Sequence, residues 1–98
     1  MFETNKSYTV KDWFTLKLMK ERNLHRISHC IVFAVLKETE KAAYAMLDLG
    51  CHLKMTTWVP KSCIEIDENN MNDDRNVRLG LTYEEAAVEH EVMWNSYC

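Results

Sequence analysis

Glycine and proline are scarce in this chain, with two glycines and one proline among 98 residues. A chain with so few linker-forming residues indicates one folded domain over residues 1–98, large enough to build a core. No apolar run comes near the length of about 18 residues that a membrane-spanning helix needs. The opening stretch MFETNKSYTVKDWF lacks the apolar segment and small-residue cleavage site of a secretory leader. We therefore expect a cytoplasmic protein.

Sequence patterns that carry catalysis are missing as well. Gly50 and Gly80 stand alone, so there is no glycine-rich phosphate loop, and no serine lies in a nucleophile elbow. A chain of this length with so little glycine also leaves little room for a cleft. We predict no enzymatic activity and no cofactor.

Cysteine and histidine are present, but not in a metal-binding pattern. His25 and His29 have helical spacing and precede Cys30, yet no C-x-x-C or H-x-x-C partner accompanies them. The acidic stretch 67–74, DENNMNDD, lacks the residue order and glycine of a calcium loop. We predict no metal site, and free thiols that pack as small hydrophobes at all four cysteines: Cys30, Cys51, Cys63 and Cys98.

Charge is distributed unevenly along the chain. Residues 1–54 hold nine Lys/Arg and six Asp/Glu, and residues 55–98 hold three and nine, so the halves carry +3 and −6. The total of −3 argues against a protein dedicated to the nucleic-acid backbone, although it allows one basic face.

The first predicted element is a helix that begins after Thr9 and runs to about Asn23. Thr9 is followed three residues later by Asp12, a weak form of the capping box. Apolar residues recur at helical spacing from Val10, and the opposite side carries basic residues. A solvated face is the more frequent meaning of such lysines, and contact with phosphates is the alternative.

The middle of the chain reads as strands. Residues 27–37, ISHCIVFAVLK, are apolar on both faces of an alternation, which is typical of a central strand. A polar turn at 38–41 precedes a second strand, 42–47, with Tyr44 and Met46 on one face. Helix propensity over residues 36–49 favours a helix as the alternative. Residues 49–55 read as a turn.

The stretch 56–66, TTWVPKSCIEI, contains the only proline and one of three tryptophans. Residues 56–59 favour a strand that Pro60 ends, residues 61–63 form a single turn, and residues 64–66 resume an extended path. In this interpretation Trp58 is a core anchor and Lys61 points outward.

The last predicted element is a helix from Thr82 to about Tyr97. Thr82 and Glu85 have the spacing of a capping box. Steps of three and four residues predict one buried stripe, in which His90 is a core histidine with a local partner: Tyr83, Ala87, His90, Trp94 and Tyr97.

These elements predict an α+β fold with an N-terminal helix, a three- to four-stranded antiparallel sheet and a C-terminal helix. One core is expected to contain the large aromatic residues: Trp13, Phe14, Phe33, Trp58 and Trp94.

ETEKA at 38–42 and WVPKS at 58–62 resemble a hairpin that recurs in small phage, prophage and plasmid proteins. The resemblance covers roughly residues 32–66, and the connection LGCHLKM at 49–55 is longer than the tight polar turn of that pattern. It implies a mobile-element accessory protein with a β-rich core, acting in the cytoplasm of a bacterial host cell. It is also the resemblance that favours a strand over a helix at residues 42–47. Some proteins of this kind are anti-defence factors, including anti-CRISPR inhibitors.

The leading functional hypothesis is a non-enzymatic protein that binds and inhibits a host protein or nucleoprotein, with an anti-CRISPR inhibitor of a Cas effector as the concrete case. An acidic surface would imitate a phosphate backbone towards a basic groove. Its predicted residues are Asp67, Glu68, Asp73, Asp74, Glu84, Glu85, Glu89 and Glu91. The sequence leaves oligomeric state open, a homodimer included.

The alternative hypothesis is a module that binds single-stranded nucleic acid on a sheet, with aromatic platforms and a basic rim. Its predicted residues are Lys11, Lys17, Lys20, Arg22, Arg26, Tyr44, Trp58 and Lys61.

Overall fold

The computed structural model describes residues 2–24, 27, 29–50, 52–69 and 73–97. These residues form an α+β fold with six strands and two helices. The elements are β1 (Tyr8–Val10), α1 (Asp12–Glu21), β2 (Ile31–Glu38), β3 (Ala42–Gly50), β4 (Leu53–Pro60), β5 (Ile64–Ile66), β6 (Arg78–Leu79) and α2 (Tyr83–Tyr97). Two single 3₁₀ turns cover Lys61–Cys63 and Asp73–Arg75.

The six strands form one sheet in the order β4-β3-β2-β1-β5. Neighbours along this order are antiparallel, and β6 adds a short parallel pairing to β2 beyond the place where β1 pairs with it. β4 is an edge strand, and Pro60, which has no N–H to donate, is its last residue.

The helices cover opposite faces of the sheet. α1 buries Phe14 and Leu18 in a core with sheet residues that include Ala43 and Ala45. α2 contributes Ala86 to a second cluster, which also contains Phe33, Ala34 and Met46. Because both faces are covered, β2 and β3 are apolar throughout most of their length, as the sequence predicted for a central strand.

Two β-bulges in β2 distribute its side chains between these faces. The pairing with β3 passes from Val32 to Ala34 and from Val35 to Lys37 while β3 advances by one residue each time. Phe33 and Leu36 are the extra residues, and both belong to the cluster under α2. The bulges therefore place two large apolar side chains on the α2 side.

Several sequence predictions are confirmed. Residues 42–47 are strand, which excludes the helical alternative over 36–49. Ala43 and Ala45 of this strand face α1, and their small side chains allow α1 to pack closely. Thr82 and Glu85 form the reciprocal capping box, with N–H to side-chain oxygen distances of 3.0 and 3.2 Å. Cys30 and Cys63 are free, buried thiols, whereas Cys51 and Cys98 lie outside the described residues.

The predicted start of the first helix is wrong. Thr9 lies in the middle of β1, whose flanking residues Tyr8 and Val10 are buried and pair with β5. Lys11 is the N-cap instead, with a ψ of 144° and no side-chain cap. Alternating burial in a sheet outweighs the weak local capping signal at Thr9.

The prediction of one aromatic core is also wrong. Phe14 and Phe33 are buried in different clusters on opposite faces of the sheet. Trp13 and Trp58 are 59% and 45% exposed, and Trp94 is half-buried. On β4 the fully buried Val59 takes the core side, so strand alternation turns Trp58 to the other face.

The predicted turn and strand count need correction as well. β3 continues to Gly50 and β4 begins at Leu53, so the turn is much shorter than residues 49–55. Gly50 and His52 have φ values of 98° and 66°, the left-handed geometry of a tight connection. The sheet also has more strands than the predicted three to four. The prediction missed β1 and β6 because these strands are too short to show a clear alternation in the sequence.

The two motifs of the phage-type resemblance contact each other. Lys61 Nζ lies 2.6 Å from Glu38 Oε1, and the Lys61 amide donates to the carbonyl of Lys41. Thr39 Oγ1 accepts a hydrogen bond from the Ala42 amide. Lys61 is thus folded back onto the β2–β3 turn rather than pointing outward, and these motif residues close the hairpin.

Neither helix in the described part of the chain combines the length and apolarity needed to cross a lipid bilayer.

A pair of adjacent aromatic residues on α1 tests the burial pattern. Phe14→Ala should lower the free energy of unfolding by about 3 to 5 kcal/mol, because it opens a cavity in the core. Trp13→Ala should change it by only about 0.5 kcal/mol, because that ring is largely in solvent. Urea unfolding of both variants measures the difference. Equal losses would contradict the placement of the two rings.

Candidate functional site

The most concentrated group of polar contacts surrounds one buried carboxylate, Asp48, on the α2 face of β3. Asp48 Oδ2 lies 2.8 Å from His29 Nε2, and Oδ1 lies 2.9 Å from His90 Nε2. Trp94 Nε1 donates to Oδ1 at 2.9 Å, and the Gly50 amide donates to it at 3.3 Å. We call Asp48, His29, His90 and Trp94 the Asp48 cluster.

The charge on Asp48 is stabilised within the fold. Burial alone would raise the pKa of this carboxyl, but the hydrogen bonds from His29, His90, Trp94 and the Gly50 amide outweigh burial. They hold the pKa well below its ordinary value of 3.8. Asp48 is therefore a carboxylate at neutral pH, and its charge is held by donors from three separate parts of the chain.

His90 is the most deeply buried member of the cluster, with no exposed surface. Its ring lies edge-on to Phe33 at a centroid distance of 5.0 Å, and its Nδ1 has no hydrogen-bond partner. The bond to Asp48 requires a proton on Nε2, and Nδ1 faces apolar surroundings. His90 is a core histidine as predicted, but its partner is Asp48, 42 residues away in sequence, and not a local residue.

Trp94 connects the cluster to the surface. The His29 ring stacks against it at 6.4 Å and 11°, and the His52 ring lies tilted against it at 5.7 Å. His52 Nδ1 lies 3.5 Å from Glu91 Oε1. These contacts fix the second half of α2 to the β3–β4 turn. The predicted stripe of α2 is thus partly buried: Tyr83 is exposed, Ala87 and Trp94 are intermediate and His90 is buried.

Chemistry at this site is limited by its geometry. Among the described residues no group of three or more His, Cys, Asp or Glu side chains has an arrangement that could hold a metal ion, and His25 lies outside those residues. Cys30 lines an open cavity of about 760 Å³ next to His29. Burial raises the pKa of its thiol to about 11, so Cys30 is not a thiolate at neutral pH.

The outer face of α2 has a different character. Val88 and Val92, one turn apart, are 63% and 59% exposed. At 100° per residue, glutamates lie on both sides of this pair, and all four are exposed: Glu84, Glu85, Glu89 and Glu91. No lysine or arginine occurs within Tyr83–Tyr97. We call these two valines and four glutamates the α2 outer face.

The other predicted acidic residues lie apart from this face or at its margin. Asp73 and Asp74 form a 3₁₀ turn with Arg75, and Arg78 donates to the carbonyl of Asp74 and to Glu89 Oε2. The Arg78 guanidinium also lies 4.2 Å above the Phe33 ring. Asp67 and Glu68 follow β5 and line a hollow next to Lys6. The structure thus brings the Asp73–Asp74 turn next to α2, whereas Asp67 and Glu68 lie next to Lys6, apart from the α2 outer face.

Most of the predicted basic rim lies on the opposite face of the sheet from the predicted aromatic platforms, but Lys17 and Trp58 line one hollow at the β4 edge. Lys17, Lys20 and Arg22 are exposed on or just after α1, whereas Lys11 lies 4.0 Å from Glu65. Arg26 lies outside the described residues. Tyr44 and Trp58 face each other across β3 and β4 on the side of α2, with ring centroids 5.3 Å apart.

Sequence reasoning missed Asp48. Its signal was a single acidic residue near the end of an otherwise apolar strand, AAYAMLDLG. A charge in such a position is expected to have partners, because an unpaired buried carboxylate is costly. The partners lie 19, 42 and 46 residues away, which no local pattern reveals.

A scan against protein-family models finds no match for this chain, and searches of curated proteins and of solved structures find no significant match.

Asp48→Asn tests the cluster. The variant keeps the side-chain size but removes the charge and one acceptor oxygen, so the free energy of unfolding should fall by about 3 kcal/mol. Glu40→Gln, which changes an exposed carboxylate of the β2–β3 turn, is the matched control and should change it by only about 0.5 kcal/mol. Chemical unfolding at neutral pH measures both.

The pH dependence follows from the lowered pKa of Asp48. A carboxyl with a lower pKa in the folded state contributes stability above its ordinary pKa, and this contribution is lost as pH falls through the folded value. The difference between the parent and Asp48→Asn should therefore shrink below about pH 4. A difference that stays constant down to about pH 2 would contradict the assignment.

Proposed function

We propose that this protein is a non-enzymatic binding protein whose α2 outer face binds a basic surface on a host protein or nucleoprotein. A host effector that holds nucleic acid in a basic groove, such as a Cas effector, is the partner class with matching charge. The observation that carries this proposal is the pair of exposed valines set between four glutamates on one helix face.

The arrangement has the anatomy of an interface. Protein-protein interfaces have an apolar middle that loses its water and a polar rim that stays hydrated. Val88 and Val92 provide the middle, and the glutamates provide the rim. Helix stability explains part of the acidity, because Glu84 and Glu85 lie in the first turn and Glu85 completes the capping box. It does not explain two valines in solvent on the same face.

The outer face is also rigidly presented. The Asp48 cluster fixes one side of α2 to the β3–β4 turn, and the Arg78–Glu89 contact at 3.3 Å fixes the other side to β6. A binding surface on a fixed helix loses less conformational entropy when a partner binds. The phage-type resemblance of the β2–β4 region is consistent with an accessory protein that acts by binding.

The rim charges are tested by Glu84→Gln/Glu91→Gln. Removing two negative charges should slow association with a basic partner about tenfold at low salt and flatten the salt dependence. The matched control, Glu40→Gln/Glu65→Gln, removes the same charge from exposed positions away from α2. The probes are an immobilised arginine-rich peptide and a panel of purified guide-loaded Cas effectors, with target-DNA cleavage as the second readout.

The apolar middle is tested by Val88→Ser/Val92→Ser. We expect faster dissociation with little change in association rate, because these contacts form after encounter.

If the parent protein inhibits none of the effectors in the panel, the Cas assignment is contradicted. Equal peptide association by the parent and both charge variants would contradict binding through α2.

A further inference from the structure

The sheet has an uncovered surface on β3 and β4, which runs from a position beside the Asp48 cluster to the other end of the two strands. Tyr44 and Trp58 are directly opposed in the strand register, and Trp58 is 45% exposed. Lys37 on β2 is opposed to Tyr44 and so points to the same face. Lys54 lies on that face too, directly opposed to Asp48 and four residues before Trp58. We call these four residues the aromatic sheet surface.

This surface is open because α2 covers a different part of the same face. The α2 cluster consists of Phe33, Ala34, Met46 and Ala86, and the Asp48 cluster holds the far half of the helix. The residues opposed across β3 and β4 beyond Met46 therefore lack a covering layer. β4 is also an edge strand, so the Trp58 ring is reached from above and from the side.

Packing does not account for a tryptophan at position 58. The core position at this end of β4 belongs to Val59, which is fully buried. Trp58 instead presents a large ring to solvent beside a second ring. Exposed aromatic residues with adjacent lysines are the combination that single-stranded nucleic acid uses, because bases stack on rings and phosphates contact cations.

The local charge suits such a ligand. The salt bridge to Lys61 neutralises Glu38, the acidic neighbour of Lys37. Within the described part of the chain, Lys37 and Lys54 form no salt bridge. Lys37 is exposed, whereas Lys54 is partly buried and opposed to Asp48, whose oxygens accept from the donors of the Asp48 cluster. Glu40 adds one negative charge in the β2–β3 turn, and the glutamates of the α2 outer face belong to the other surface.

We infer that the aromatic sheet surface binds single-stranded nucleic acid. Bases stack on Trp58 and Tyr44, and Lys37 and Lys54 contact the flanking phosphates. The basic residues of α1 are not part of this surface, because α1 packs on the opposite face of the sheet, although Lys17 reaches a hollow at the β4 edge that Trp58 also lines. This inference does not rest on the α2 outer face, and binding is a property of the protein alone.

The test is fluorescence anisotropy with labelled 12-nucleotide single strands of DNA and RNA, at about 50 and 200 mM salt. Trp58→Thr keeps a residue suited to a strand and should weaken binding about tenfold or more, as should Tyr44→Ala. Trp13→Ala is the matched control: it removes a tryptophan of similar exposure from the other side of the molecule and should leave binding unchanged.

Charge is tested separately with Lys37→Gln/Lys54→Gln. Two phosphate contacts predict about a sevenfold loss of affinity for the parent between the two salt concentrations, and the double variant should lose most of this dependence. Thermal melting checks that each variant is folded.

Several results would overturn the inference. One is that the parent protein does not bind the labelled strands at about 100 μM protein. Another is that the parent and a folded Trp58→Thr variant bind with equal affinity. A third is that Trp13→Ala loses as much affinity as Trp58→Thr. If Trp58→Thr does not fold, Tyr44→Ala and the lysine variant decide, and unchanged binding in both would overturn it.

Discussion

The carboxylate of Asp48 is the point at which the sheet, the segment before β2 and the last helix are held together. Beyond these contacts, α2 is held by the Arg78–Glu89 and His52–Glu91 contacts at its exposed sides and by a small apolar cluster. A buried carboxylate is unfavourable unless every lone pair has a donor, so each donor must arrive at its place for the charge to be tolerated. The position of α2 is thereby fixed more narrowly than apolar packing alone would fix it.

A consequence is a division of labour between the two sides of the sheet. The α1 side holds the larger apolar core and the buried thiols. The α2 side carries the polar cluster, the acidic outer face and the two exposed rings. Both surfaces for which we propose ligands lie on this second side, so a nucleoprotein with a basic groove beside an exposed strand is a ligand that both surfaces fit.

Much of the secondary structure could be predicted because its signals are local. The capping box at Thr82, the stop at Pro60 and the apolar run of β2 depend on near neighbours. Each was found, although β2 begins at Ile31 and not at Ile27 as predicted. Pairing depends on residues far apart in sequence. Nothing local shows that β1 and β6 join the sheet, or that Val59 rather than Trp58 faces the core. The Asp48 cluster was missed for the same reason, since its donors come from distant segments.

The two bulges of β2 have a consequence for how the sequence is read. Each bulge inserts one position into an alternation of two, so it reverses the face of every residue that follows relative to an unbroken strand. After both insertions the original parity is restored, so Lys37 points to the face that it would have in an unbroken strand. The face of each β2 side chain, and so the helix it contacts, therefore depends on the position of the residue relative to the two bulges. If another protein had this fold without the bulges, an alignment of the two sequences would need gaps inside β2 to match residues that occupy the same place.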